Sequence, residues 1–167
     1  MRTLLALARG LRLVEDAAVG TLLVLVCAVT AAQVGFRFIL ESPLSWSDEL
    51  GTFSFVWFAL LGAAIAVREN AHIGVDALTR TLPPRWRAGC AVGSLLLIQL
   101  FLLCLVKYGF DLMIRIGDQR SSGLQIQIFW VYLSLPLSAA LMLVHTFPTM
   151  GGLVSALRGS PPAEAKG

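Results

Sequence analysis

Few side chains in this 167-residue chain can do chemistry, and they gather where apolar stretches begin and end. Arg68, His72 and Asp76 follow one another at steps of four, so a continuing helix sets a cation, an imidazole and a carboxylate along one stripe. Three roles are open to that stripe: a solvated face, an internal polar lock between two helical segments, or a contact with a partner or with lipid headgroups. A second group, Trp46, Asp48 and Glu49, lies in LSWSDEL. Ser45 followed by Asp48 fits an S-x-x-D helix start, and acids in a first turn are stabilised by the helix dipole by about 0.3–1 kcal/mol each when exposed. Trp46 suits an aromatic belt at a membrane surface. His72 and His145 give an alternative reading, a membrane anchor or redox subunit, because two imidazoles can ligate one haem. Cys27, Cys90 and Cys104 show neither CxxC pairing nor a histidine at metal-ligand spacing. They read as small buried hydrophobes, with no metal site and no cofactor expected.

What must position these residues is a set of long apolar helices. Four uncharged stretches, roughly Ala17 to Phe36, Leu50 to Val67, Ala88 to Val106 and Ile128 to Met150, are each about the length that crosses a bilayer. With no water in the hydrocarbon, every backbone group must bond within its own segment, so helices are required. Composition agrees: 57% of residues are hydrophobic and 14% charged, with a mean hydropathy of +0.79. The expected fold is an all-α membrane protein: four transmembrane helices in one compact bundle over residues 1–157, with amphipathic interfacial helices at the N-terminus and in a loop. Residues 158–167 form a polar, proline-containing tail, expected to be disordered.

A net charge of +3 suggests nucleic acid in a soluble protein, but here the basic residues flank span ends, so no nucleic-acid partner is expected. Arg2, Arg9, Arg12, Arg68, Arg80, Arg85, Arg87, Arg158 and Lys166 all fall on one side of a four-span layout. The other side mixes Arg37 with Glu41, Asp48 and Glu49, and Lys107, Arg115 and Arg120 with Asp111 and Asp118. Positive charge in short loops is retained in the cytoplasm, which places both termini there.

Glu15 and Asp16 directly precede the first apolar run, which argues against a cleaved signal peptide despite Thr30-Ala31-Ala32. Leu4, Leu7, Leu11 and Val14 recur opposite Arg2, Arg9 and Arg12, the pattern of an interfacial amphipathic helix over residues 1–15 that leads into the first span. Lys107, Asp111, Arg115 and Asp118 continue the third span at steps of four, four and three, so that helix runs on beyond the membrane with a charged face, either solvated and laced by i,i+4 pairs or turned to a partner, then turns at Ser121-Ser122-Gly123. Between spans two and three, Ile73, Ala77 and Leu78 can share one side of a short helix in the interface that ends at Pro83-Pro84, with Arg85, Trp86 and Arg87 at headgroup depth. No Asp, Glu, Lys or Arg lies near the middle of any span, whereas ion-coupled carriers commonly put ionisable groups or broken helices there. Ala59 with Ala63, Gly62 with Ala66, and Gly89 with Gly93 are small residues four apart, read as packing between helices.

Taken together, the tryptophan and acidic pair opening span two, GAAIAVRENAHIGVD at its exit, the long third helix and VYLSLP in span four resemble the small membrane subunit of tripartite ATP-independent periplasmic (TRAP) transporters, the DctQ-like family. The likeness covers nearly the whole chain and is most specific in Gly62, Ala63, Ala64, Arg68, His72, Ile73, Val75 and Asp76, reinforced by Tyr132 and Pro136. Gln127 replaces a proline expected before span four, and Ser138 a glycine frequent after Pro136. The resemblance implies a bacterial inner-membrane protein that is no enzyme. It implies a small subunit bracing the scaffold of a large membrane subunit, which moves a carboxylate-bearing solute with sodium by an elevator-type motion after a periplasmic binding protein captures it. Trp46, Asp48, Glu49, Arg68, His72, Asp76, Tyr132 and Pro136 then become candidates for assembly and interface contacts, with membrane lipids as further partners.

Overall fold

The computed structural model describes residues 2–42, 44–69 and 84–157. The helices are α1 (Arg2–Phe38), α2 (Ser47–Arg68), α3 (Pro84–Ile116), α4 (Phe129–Tyr132) and α5 (Ser134–Leu157). Stretches within α1, α2, α3 and the α4–α5 pair are each long and apolar enough to cross a membrane. Among the described residues there is no strand, only an isolated antiparallel bridge between Arg120 and Gln127 in the α3–α4 loop. The chain is an all-α membrane protein.

The expected interfacial helix and first span are one uninterrupted helix of 37 residues, about 55 Å at 1.5 Å per residue. The third span also runs on, to Ile116. Asp118 lies beyond its end, and among the described residues Lys107, Asp111, Arg115 and Asp118 form none of the ion pairs their spacing suggested. Lys107 sits 5.6 Å from the ring centroid of Tyr108 instead. Pro84 is the first residue of α3, a position where a missing N–H costs nothing.

The fourth span is broken at Leu133, and Pro136 explains the break. Proline has no N–H to offer the carbonyl of Tyr132 four residues back, and its ring crowds that carbonyl. Side chains and backbone tie the surrounding turn: Leu137 N–H donates to Leu133 O at 3.2 Å, Ser134 Oγ–H to Val131 O at 2.6 Å, and the Trp57 indole N–H to Trp130 O at 3.1 Å. Pro136 is buried against α3, where a Cβ on Gly109 would lie 3.2–3.3 Å from Leu135 and Pro136. Glycine there lets α3 approach the kinked helix.

Among the described residues the helices pack side by side. Backbone packing joins α1 to α2, α2 to α5, and α5 to α3, giving an open layer in the order α1–α2–α5–α3. A soluble helix layer would have to bury its apolar faces, but lipid tails are as apolar as leucine, so nothing forces closure. The core is correspondingly thin: Ala64 of α2, Leu102 of α3, and Ala139 and Met142 of α5. Ser47, Ser134 and Ser138 are the largest fully buried side chains. The small-residue pairs lie elsewhere: Ala59, Ala63 and Ala66 are exposed, and a Cβ on Gly62, Gly89 or Gly93 would meet nothing within 4 Å. Those pairs do not mediate packing among the described residues; Ala64, next to Ala63 in the sequence, does.

Candidate functional site

Polar side chains join the layer at both ends. At the end where α2 finishes, Arg68 extends its guanidinium to α1: one terminal nitrogen is 3.0 Å from Glu15 and the other 2.7 Å from Asp16, while Nε reaches its neighbour Glu69 at 3.1 Å. His145 of α5 donates from Nε2 to the same Glu15, 2.9 Å from one oxygen and 3.2 Å from the other. Glu15 is only 3% exposed. A carboxylate this deeply covered must be paired, and here two donors on two other helices meet it. The cluster therefore ties α1, α2 and α5 together.

At the opposite end, α2 begins with Trp46 as its N-cap residue, without a side-chain capping bond. The expected Ser45 cap is absent because the helix starts two residues later, which leaves Ser45 outside the capping position. Ser47 bonds back to the carbonyl of Leu44 at 2.8 Å, and Asp48 and Glu49 occupy the first turn. Both acids act at a distance. Asp48 accepts from the Gln33 amide of α1. Glu49 accepts the backbone N–H groups of Gly123 at 2.8 Å and Leu124 at 2.9 Å, fastening α2 to the loop between α3 and α4. That loop is a tight turn closed by Ser121 N–H to Ile126 O at 2.9 Å and Ile128 N–H to Gln119 O at 2.9 Å. A Cβ on Gly123 would stand 3.0 Å from the Ser45 carbonyl, so glycine permits the approach.

The two clusters mark a depth. Glu15 and Gln33 are eighteen residues apart on α1, and Asp48 and Arg68 are twenty apart on α2. At 1.5 Å per residue those intervals are about 27 and 30 Å, the thickness of a bilayer's hydrocarbon core. An uncharged link lies beside the first cluster: Gln99 of α3 donates to Thr146 of α5, the residue after His145, at 2.8 Å, and the threonine hydroxyl donates in turn to carbonyls of its own helix, Met142 at 3.0 Å and Leu143 at 3.1 Å.

Of the sequence candidates, Asp48, Glu49 and Arg68 are linkers between elements, Trp46 is exposed beside the first pair, Tyr132 ends α4 just before the break at Leu133, and Pro136 packs against Gly109 of α3. They form two separate groups and a kink, not one site. His72 and Asp76 lie outside the described residues, as do the loop helix and the tail. Glu15, Asp16 and Gln33 were not singled out as site residues. Their signal was present: an acidic pair at the mouth of one span needs a cation, and Arg68 ends the antiparallel neighbour. His145, read as a possible haem ligand, has its Nε2 committed to Glu15.

Fold and clusters define a multi-pass helical membrane protein whose ionisable groups sit at the ends of its spans. Residues 26–155 match the family of tripartite ATP-independent periplasmic transporters, DctQ component, and the chain belongs to that family. It is 24% identical over 146 residues to the sialic acid TRAP transporter small permease protein SiaQ of Vibrio cholerae, covering 87% of this chain and 84% of that one. To the sialic acid TRAP transporter permease protein SiaT of Haemophilus influenzae it is 30% identical over 128 residues, 74% of this chain but 20% of the longer relative. To the C4-dicarboxylate TRAP transporter small permease protein DctQ of Rhodobacter capsulatus it is 29% identical over 117 residues, 69% of this chain and 52% of the relative. The chain thus spans a fifth of SiaT and about half of that DctQ.

Proposed function

We propose that this chain is the bracing subunit of a TRAP transporter in a bacterial inner membrane. It works with a large membrane subunit and a periplasmic binding protein to import a carboxylate-bearing solute with sodium. The carrying observation is the distribution of polarity. Cross-links fix the layer at both ends, while residues 17–36, 50–67, 88–106 and 128–144 contain no Asp, Glu, Lys, Arg or His. Such a layer has rigid helix ends for holding a neighbour and no ionisable group at mid-depth for holding solute or ion. The match to a fifth of SiaT supports a permanent association, since there the counterpart of this chain is part of a longer permease. A haem-binding anchor has no comparable support.

Reconstitution tests the reading. Alone in liposomes the chain transports nothing. With its large subunit, the binding protein and an inward sodium gradient, a carboxylate solute is taken up. Sodium-dependent uptake by the chain alone would overturn the proposal. In the same scheme both termini face the cytoplasm, so a cysteine at the exposed position 42, in a background lacking native cysteines, reacts with an impermeant reagent from the periplasm only; reaction from the cytoplasm alone inverts the topology. His72 and Asp76 belong to assembly here: His72→Gln lowers the yield of complex and leaves solute affinity unchanged in the complex that forms. Full yield with selectively lost turnover would assign His72 to transport.

A further inference from the structure

The corner between α1 and α2 holds an apolar patch that the proposed bracing role does not use. Beyond Gln33, which marks the edge of the hydrocarbon, α1 continues for another turn. Arg37 lies four residues on, about 6 Å further along the axis. Phe38, Ile39 and Leu40 follow, 75%, 81% and 58% exposed, and Trp46 stands exposed across the corner. The backbone fixes this shape. Ile39 N–H donates to Gly35 O at 2.8 Å and Ser42 N–H to Phe36 O at 3.2 Å, and Glu41 takes a positive φ of 50° where the chain turns back. Ile39 and Leu40 are therefore held at the tip of a closed corner.

Two observations say what covers them. The patch is continuous with Val34 and Phe36, exposed on the turn of α1 that follows Gln33, so its surroundings begin at the edge of the lipid. Arg37, in the last turn of α1, forms no ion pair among the described residues. It stands at the depth where phosphates lie, with its charge also favoured by the helix C-terminus. We propose that this corner is a phospholipid anchor: Phe38, Ile39, Leu40 and Trp46 rest in the interfacial zone of the bilayer, and Arg37 takes a lipid phosphate. Aromatic and apolar side chains beside a snorkelling cation are the chemistry that this zone selects.

A depth measurement decides the matter. Ile39→Cys is placed in the full chain with Cys27, Cys90 and Cys104 changed to Ala, labelled with a polarity-sensitive fluorophore and put into phosphatidylethanolamine–phosphatidylglycerol vesicles. The expected result is blue-shifted emission, quenched about twofold more by a headgroup-level nitroxide lipid than by one deep in the chains. Water-like emission, quenched by aqueous iodide, would overturn the anchor. So would a probe that is wet with the chain alone and shielded only when a large permease subunit is added, because the patch would then be a protein docking surface. If the cysteine-free chain does not fold, brominated-lipid quenching of the native chain is compared with Trp46→Phe, and an unchanged quenching profile counts against the anchor. For Arg37, native mass spectrometry of Arg37→Gln should show about one retained phospholipid fewer than the parent, with excess inorganic phosphate displacing none. Equal retention removes the phosphate contact, and displacement by phosphate identifies a free-anion site in place of a lipid one.

Discussion

The two ends of the helix layer solve one problem with different chemistry. Where α2 ends, a covered carboxylate, Glu15, pairs with the Arg68 guanidinium and shares a hydrogen bond with His145, so one acid links three helices. Where α2 begins, Glu49 and Asp48 accept from uncharged donors, backbone N–H groups of a turn and the Gln33 amide. The first arrangement is demanding, because losing either partner strands an ion away from water. The second is tolerant, because the turn and the acids it serves can be reached by solvent. Mutation should therefore be felt unequally at the two ends.

The largest effect is expected from Arg68→Ala, which removes the cation from Glu15 and leaves it only the hydrogen bond of His145 among the described residues. Removing one member of a covered pair typically costs about 3–5 kcal/mol, read as a lower unfolding midpoint in detergent or as loss of purified protein. The double variant Glu15→Leu/Arg68→Met, which removes both charges, should recover most of that loss; no recovery would mean that Arg68 acts through something other than Glu15. Next comes Glu49→Ala, with a smaller drop in midpoint than Arg68→Ala and faster amide exchange at Gly123 and Leu124. A drop as large as that of Arg68→Ala would erase the contrast between the ends. Gly123→Ala should resemble Glu49→Ala, since its Cβ would press on the Ser45 carbonyl and open the same junction. The smallest change is expected at the uncharged link beside His145: Gln99→Leu should cost about 0.6 kcal/mol, the average for hydrogen bonds between membrane helices. A loss of several kcal/mol there would make that link as decisive as the covered carboxylate.

How far the sequence foretold this depends on which force each feature obeys. The spans were legible because their driving force is local: each apolar run must satisfy its own backbone. α2 and α3 matched their runs and then extended past them. Helix order was not legible, because lipid-facing and helix-facing positions are equally apolar and leave no amphipathic stripe to read. The small-residue pattern misled for the same reason, pointing to Ala59, Ala63 and Ala66 when Ala64 and Ala139 carry the contact. Arg68 was recognised from its stripe with His72 and Asp76, yet its partners came from a helix more than fifty residues away. Pro136 was seen as a landmark, and the run was read as one span, which Phe129–Phe147 bears out with an interruption of the helix at Leu133.

The single-layer arrangement has an electrical consequence. Among the described residues the layer is one helix thick and encloses no lumen, so it offers no file of polar positions along which water, protons or ions could hop from one face of the membrane to the other. Gaps that open at its edges fill with acyl chains, which insulate. Under the proposed bracing role, vesicles that carry this layer without its partners should hold an imposed ion gradient as long as empty ones do.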